Sequence, residues 1–127
     1  MYSDKIMQIF ANPKNVGVIK GADGTGEATN EFGEVVKIFI NAEDGIIKDA
    51  KFKAYGSVVM IATGSVLTSM LKGQFIDNAI NISNNDLKNA LGGDVEEEKM
   101  PSLVACKDAM LLAIKNYRDK FESTEQF

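Results

Sequence analysis

Residues 51–73, KFKAYGSVVMIATGSVLTSMLKG, contain the change of pattern on which the fold turns. Up to Tyr55 the chain alternates. Ala50, Phe52 and Ala54 fall on one face and Lys51, Lys53 and Tyr55 on the other, the period-two pattern of a half-buried strand. Past Gly56 the period changes. Val59, Ala62, Val66 and Met70 recur at helical spacing, and Val58, Met60, Ile61, Leu67 and Leu71 widen the apolar surface, so the helix reads as mostly buried. A strand thus passes directly into a central helix at Gly56-Ser57. The first turn of such a helix has backbone N–H groups without helical partners and a positive dipole end, so Ser57 stands where chemistry is easily placed.

Working outward, Val36, Ile38 and Ile40 share a face of a preceding strand over 35–41. Glu43-Asp44-Gly45 reads as a hairpin turn, with Gly45 suited to positive φ. The strand of 46–55 follows, and residues 27–30 are expected to form a short first strand. Together these make a three-stranded antiparallel meander. Gly17, Gly21, Gly24 and Gly26 are expected in a flexible polar connection, since the frame of a phosphate cradle is missing. Before it, Ser3 is placed to cap a short helix carrying Ile6, Met7 and Phe10, which ends ahead of Asn12-Pro13.

After the central helix, 76–80 suggests a short helical segment. Asn84 or Asn85 is expected to cap another, ending at Gly92-Gly93. Residues 94–98, DVEEE, read as a solvated acidic loop without the turn of a calcium site. Pro101 fits the first turn of a long last helix whose apolar stripe is Leu103, Cys106, Met110, Ala113, Ile114, Tyr117 and Phe121. Cys106 on that stripe reads as a small buried hydrophobe. The tail STEQF, 123–127, is expected to be loose. Helices gathered on one face of a small antiparallel sheet make an α+β architecture, expected as one domain over 1–127.

Composition narrows the chemistry. The 127 residues are 45% hydrophobic and carry 14 basic and 18 acidic side chains, a net charge of -4. That balance argues against a nucleic-acid footprint and an anionic membrane surface. No apolar run approaches a membrane span, and the N-terminus lacks a signal-peptide core, so the expected compartment is cytoplasmic. One cysteine excludes an intramolecular disulfide framework. The absence of histidine excludes Ser-His and Cys-His nucleophile systems and zinc sites of the Cys/His kind. One thiolate cannot hold a cluster alone.

In order and spacing, several stretches together resemble the IscU/NifU-type iron–sulfur cluster assembly scaffold family over nearly the whole chain. They are YSDKIMQIFANPKNVG at 2–17, ADGTGE at 22–27, GEVVKIFINAEDGIIKDAKFKAYG at 33–56, IATGSVLTSMLKG at 61–73, NNDLKNALGG at 84–93, and Lys99-Met100. The resemblance implies a SufE/NifU-like α+β domain. It also implies an activity: a nascent cluster held on three cysteines with an aspartate and a histidine nearby, sulfur received from a cysteine desulfurase, and onward transfer often helped by an Hsp70-type chaperone. Carried across, the first cysteine position is Phe32, and the aspartate position two residues on is Glu34. The second cysteine position is Ser57, and the His-Cys pair after Lys99-Met100 is Pro101-Ser102. The chaperone-binding segment is replaced by the acidic run 95–98, which weighs against that partner.

All three thiolates and the imidazole are therefore gone. Serine does not stand in for cysteine, because its oxygen is hard and its proton tightly held, whereas cluster iron favours thiolate. Phe32 is expected to set an apolar ring in the site, Pro101 to stiffen the helix start, and Cys106, four residues after Ser102, to lie on the same side of that helix. The expected function is that of a scaffold homologue with no cofactor and no enzymatic step. It would act through contacts with a cysteine desulfurase or a ligand-competent scaffold paralogue, with homo-oligomerisation left open. Two alternatives stand beside it. One is an active iron or cluster scaffold of unusual ligation through Glu34, Cys106 and a partner's residues. The other is a small-molecule module using an apolar hollow lined by Phe32, Val58, Met60 and Met100.

Overall fold

The computed structural model describes residues 2–121; the expectation for 123–127 lies outside them. The order is helix α1 (Asp4–Ala11), strands β1 (Gly24–Thr29), β2 (Val35–Glu43) and β3 (Ile46–Tyr55), then helices α2 (Val58–Leu71), α3 (Ile76–Ala79), α4 (Asn84–Ala90) and α5 (Met100–Phe121). A 3-10 turn, Glu97–Lys99, leads into α5. The strands pair antiparallel in the order β1-β2-β3. Helices α2 and α5 lie together on one face of this sheet, which is the α+β architecture expected.

The hairpin between β2 and β3 closes through Asp44 and Gly45, both at positive φ, as a two-residue turn matching strand twist requires. Val36, Ile38 and Ile40 of β2 and Ile47, Ala50 and Phe52 of β3 are fully buried beneath the helices. Helix α2 is buried on nearly all sides, polar residues included. Its buried hydroxyls are satisfied locally: Thr63 donates to the Val59 carbonyl at 2.7 Å and Thr68 to that of Gly64 at 2.7 Å, as buried polar groups must. Ser65 accepts from the Lys14 N–H at 2.9 Å. This contact ties the segment after α1 to the central helix and lays residues 15–17 along the free edge of β3, where Gly17 donates to the Phe52 carbonyl at 2.8 Å.

Several expectations need correction. Strand β1 begins at Gly24, so Gly24 and Gly26 lie in the sheet and not in a flexible loop. Both face α5, and a Cβ on Gly26 would sit 2.2 Å from the Ala109 carbonyl oxygen and 2.4 Å from the Ala113 nitrogen. The glycines let a helix backbone rest directly on a strand, a demand set by residues more than eighty positions away. Gly26→Ala is accordingly expected to cost about 1–3 kcal/mol through overpacking, read as a lower urea midpoint at unchanged slope.

On α1 the core-facing residues are Ile6 and Ile9, while Met7 is exposed. Phe121 is likewise exposed, stacked at a tilt on Tyr117. The cap of α4 is Ser83, whose hydroxyl accepts from the Asp86 N–H while the Asp86 carboxylate accepts from the Ser83 N–H. This reciprocal box outcompetes a cap by Asn84 or Asn85. The acidic run is not wholly solvated, for Val95 within it is buried in the core.

Candidate functional site

The corner at Gly56-Ser57 meets two other elements, the turn before β2 and the first turn of α5. Asn30 shapes that turn. Its side-chain oxygen accepts from the N–H groups of Phe32 at 3.0 Å and Glu34 at 3.2 Å, and its carbonyl accepts from Gly33 at 3.0 Å. Ser57 caps α2, its hydroxyl accepting from the Met60 N–H at 3.4 Å. Pro101 is preset for a helical first turn and carries Ser102 inward, where it is 1% exposed.

Glu34 is the centre of the site. Its carboxylate accepts from the Ser57 N–H at 2.5 Å, the Ser102 hydroxyl at 2.5 Å and the Asn30 side-chain amide at 2.8 Å. Ser57 completes the chain by donating its hydroxyl to Ser102 Oγ at 3.2 Å. Hydroxyl-to-hydroxyl-to-carboxylate relays of this kind strengthen one another in a low-dielectric setting, and the N-terminus of α2 favours the negative charge. Burial by itself would raise the Glu34 pKa. The hydrogen bonds from Asn30, Ser102 and Ser57 together outweigh it and hold the carboxyl below its ordinary value. There is no room for a side chain at Gly56, where a Cβ would stand 2.9 Å from the Glu34 carboxylate.

Phe32, Glu34, Ser57, Glu98, Lys99 and Ser102 line an open depression of about 460 Å³. Most positions singled out in the sequence therefore converge, with three differences. Phe32 does not plug the site: it is 56% exposed at the rim. Pro101 turns to a neighbouring hollow, beside Met100 and Val104. Met60 is fully buried in the core, so the apolar hollow expected from Phe32, Val58, Met60 and Met100 does not form.

Cys106 is fully buried behind Ser102, with its Sγ 3.6 Å from the Met60 carbonyl oxygen. Burial first, and the Glu34 charge second, push its thiol far up, which keeps it protonated and apart from the depression. Lys99 extends over the Tyr2 ring, 5.6 Å from its centroid. Among the described residues no three of the His/Cys/Asp/Glu type come together as a metal would need.

Sequence reading passed over Asn30 and Glu98. Asn30-Glu31-Phe32-Gly33 carries a turn signature, Asn at the first position and Gly at the fourth, that would have marked Asn30. Glu98 was masked by the acidic run around it.

Comparison with known proteins agrees with this frame. The model of the NifU-like N terminal domain matches residues 1–124. The iron–sulfur cluster assembly scaffold protein IscU 1 of Archaeoglobus fulgidus is 41% identical over 118 residues, covering 92% of this chain and 76% of the relative. The IscU scaffold of Aquifex aeolicus is 34% identical, over 98% of this chain and 81% of its own. The nitrogen fixation protein NifU of Nostoc is 38% identical over 92% of this chain but only 42% of its own length. The crystal structure of a NifU-like N-terminal domain from Brucella abortus shares the fold, with a TM-score of 0.77 at 14% identity over 93% of this chain and 94% of that one. No helix among the described residues is long and apolar enough to cross a membrane. The chain belongs to the NifU-like N-terminal domain family and is a homologue of the IscU and NifU iron–sulfur cluster assembly scaffolds.

Proposed function

We propose that this protein serves iron–sulfur cluster assembly as a scaffold homologue that holds no cluster alone and works through contacts with other proteins of that machinery. The supporting observation is the state of Glu34. Its carboxylate takes three donors from its own chain, and two of these come from Ser57 and Ser102, the positions where the resemblance implies thiolates. This donor set does not fit a cluster. The oxygens are hard where cluster iron takes thiolate, and they are engaged with one another. Cys106, the remaining soft donor, is buried away from the depression, which also weighs against the reading in which it ligates iron.

The proposal includes a single domain, a cytoplasmic place of work and no catalytic step. Ser57 and Ser102 face a carboxylate, and the chain has no histidine to activate either. A cysteine desulfurase or a ligand-competent paralogue is the kind of partner that the retained fold would meet.

Anaerobic incubation with ferrous iron and sulfide, followed by desalting, tests the first half of the proposal. Iron at background level and no visible charge-transfer absorption are expected. Stoichiometric iron and sulfide retained by the chain alone would overturn it. Co-purification with a desulfurase, read on a sizing column, tests the second half.

A further inference from the structure

Helices α1 and α2 pack side by side, and a groove of about 440 Å³ runs between them to Ala90 of α4. Its floor is apolar and only partly covered, formed by Ile9 from α1 and by Val66 and Met70 from α2. Along α1 the wall runs from Lys5 to Asn12 at the helix end, a length of about 10 Å at the rise of a helix. Lys5, whose Cβ lies beside Gly92, marks the end nearer α4, and Lys14 marks the other. The groove shares no residue with the depression at Glu34.

Hydrogen-bond donors gather at the Lys14 end. Ser65 and Ser69 stand one helical turn apart on α2, and both line the groove. Each accepts a bond from the segment after α1: Ser65 from the Lys14 N–H at 2.9 Å and Ser69 from the Asn15 side-chain amide at 3.1 Å. A hydroxyl within a helix commonly returns its proton to the carbonyl one turn back, as Thr63 and Thr68 of the same helix do at 2.7 Å. Ser65 and Ser69 donate to no acceptor among the described residues. Ser65 is 4% exposed, so its proton is a buried donor still to be matched, an arrangement that folds seldom leave. Lys14 makes no ion pair among the described residues. Two hydroxyl donors and an ammonium converge on what an anionic acceptor would occupy, and the apolar floor beyond them suits a ligand with an apolar body.

We propose that the groove between α1 and α2 binds a small carboxylate with a straight apolar chain of about eight carbons, a length matched to the helix wall. The carboxylate accepts from the Ser65 and Ser69 hydroxyls and pairs with Lys14. The chain lies over Ile9, Val66 and Met70 and points toward Ala90, where the stem of Lys5 covers its end. One ammonium at the head end balances one negative charge, which favours a carboxylate over a doubly charged phosphate. The groove is separate from the Glu34 corner, so its use is independent of whether that corner holds a cluster.

Isothermal titration with octanoate, at low salt and below its micelle concentration, tests this. One saturable site per chain is expected. Lys14→Gln, which keeps the backbone N–H that Ser65 accepts, should weaken binding by about tenfold, and Ser69→Ala by about threefold. Val66→Glu sets a like charge on the floor and should abolish binding. Lys53→Gln, on the outer face of the sheet, should leave it unchanged, and circular dichroism would verify that each variant folds. No saturable binding would overturn the proposal, as would full affinity retained in both Lys14→Gln and Ser69→Ala. Equal affinity for acetate would show that the apolar floor is unused, and equal affinity for octanol that the head group is; either result overturns it. Tighter binding of octyl phosphate than of octanoate would assign the head to a phosphate and overturn it as well.

Discussion

Replacing Glu34 by alanine is expected to lower stability by about 3 kcal/mol, because it removes the acceptor from three donors at once. The Ser102 hydroxyl is buried and donates to Glu34 at 2.5 Å. The Ser57 N–H belongs to the start of a buried helix. The depression is open to water, which can rehydrate Asn30 but not the inner pair, so the loss stays below the sum of three buried unsatisfied donors. A fall of roughly 10 °C in Tm corresponds to that magnitude for a domain of this size. Glu34→Gln keeps the shape but turns an amide donor toward donors, at a cost of about 1–2 kcal/mol.

The pH dependence follows from the lowered carboxyl. The unfolded chain takes up the proton first, so the stabilisation is complete above the ordinary value of 4.5 and is lost as pH falls through the lower folded value. Chemical denaturation at several pH values checks this. The wild type should lose stability in that window more steeply than Glu34→Gln, and parallel curves would show that the carboxylate carries no net charge-linked stabilisation.

The second large effect is a gain. The five substitutions Phe32→Cys, Glu34→Asp, Ser57→Cys, Pro101→His and Ser102→Cys should take the protein from background iron to a stoichiometric cluster in anaerobic reconstitution. The backbone already brings positions 32, 34, 57 and 102 together, with position 101 in the hollow beside them. Ser57 and Ser102 touch through their hydroxyls at 3.2 Å, and Phe32 stands at the rim of the same depression. The missing part is softness, which thiolates supply. Glu34→Asp belongs in the set because the longer carboxylate now fills the space between residues 57 and 102; restoring the thiols beside Glu34 should therefore yield less iron than the full set. Iron and sulfide analysis, together with visible absorption, reads the outcome. A folded fivefold variant that stays free of iron would mean that the backbone itself has moved away from ligand geometry.

Much of the fold was legible because its signals are local. The switch of period at Gly56 places a strand against a helix, Asp44-Gly45 closes the hairpin, and Pro101 starts α5, each within a few residues of the chain. Ser83 was missed as a cap because Asn84 and Asn85 carry the same preference and only the reciprocal bond with Asp86 decides among them. Gly24 and Gly26 looked like loop residues for a stronger reason: glycine signals freedom in a short window, and only the helix resting on them turns it into a packing requirement.

The candidate site divides in the same way. Side-chain chemistry was determined by the sequence alone: no histidine, one cysteine, serines and a phenylalanine where the family resemblance implies ligands, and a carboxylate retained at Glu34. The tertiary structure decided what those residues do to one another. Glu34 reaches Ser102 across 68 positions and Ser57 across 23, Phe32 turns outward, and Cys106 sinks into the core. Contacts at that separation depend on where α5 lands on the sheet, which is set by the packing of the whole core and by no local stretch of it.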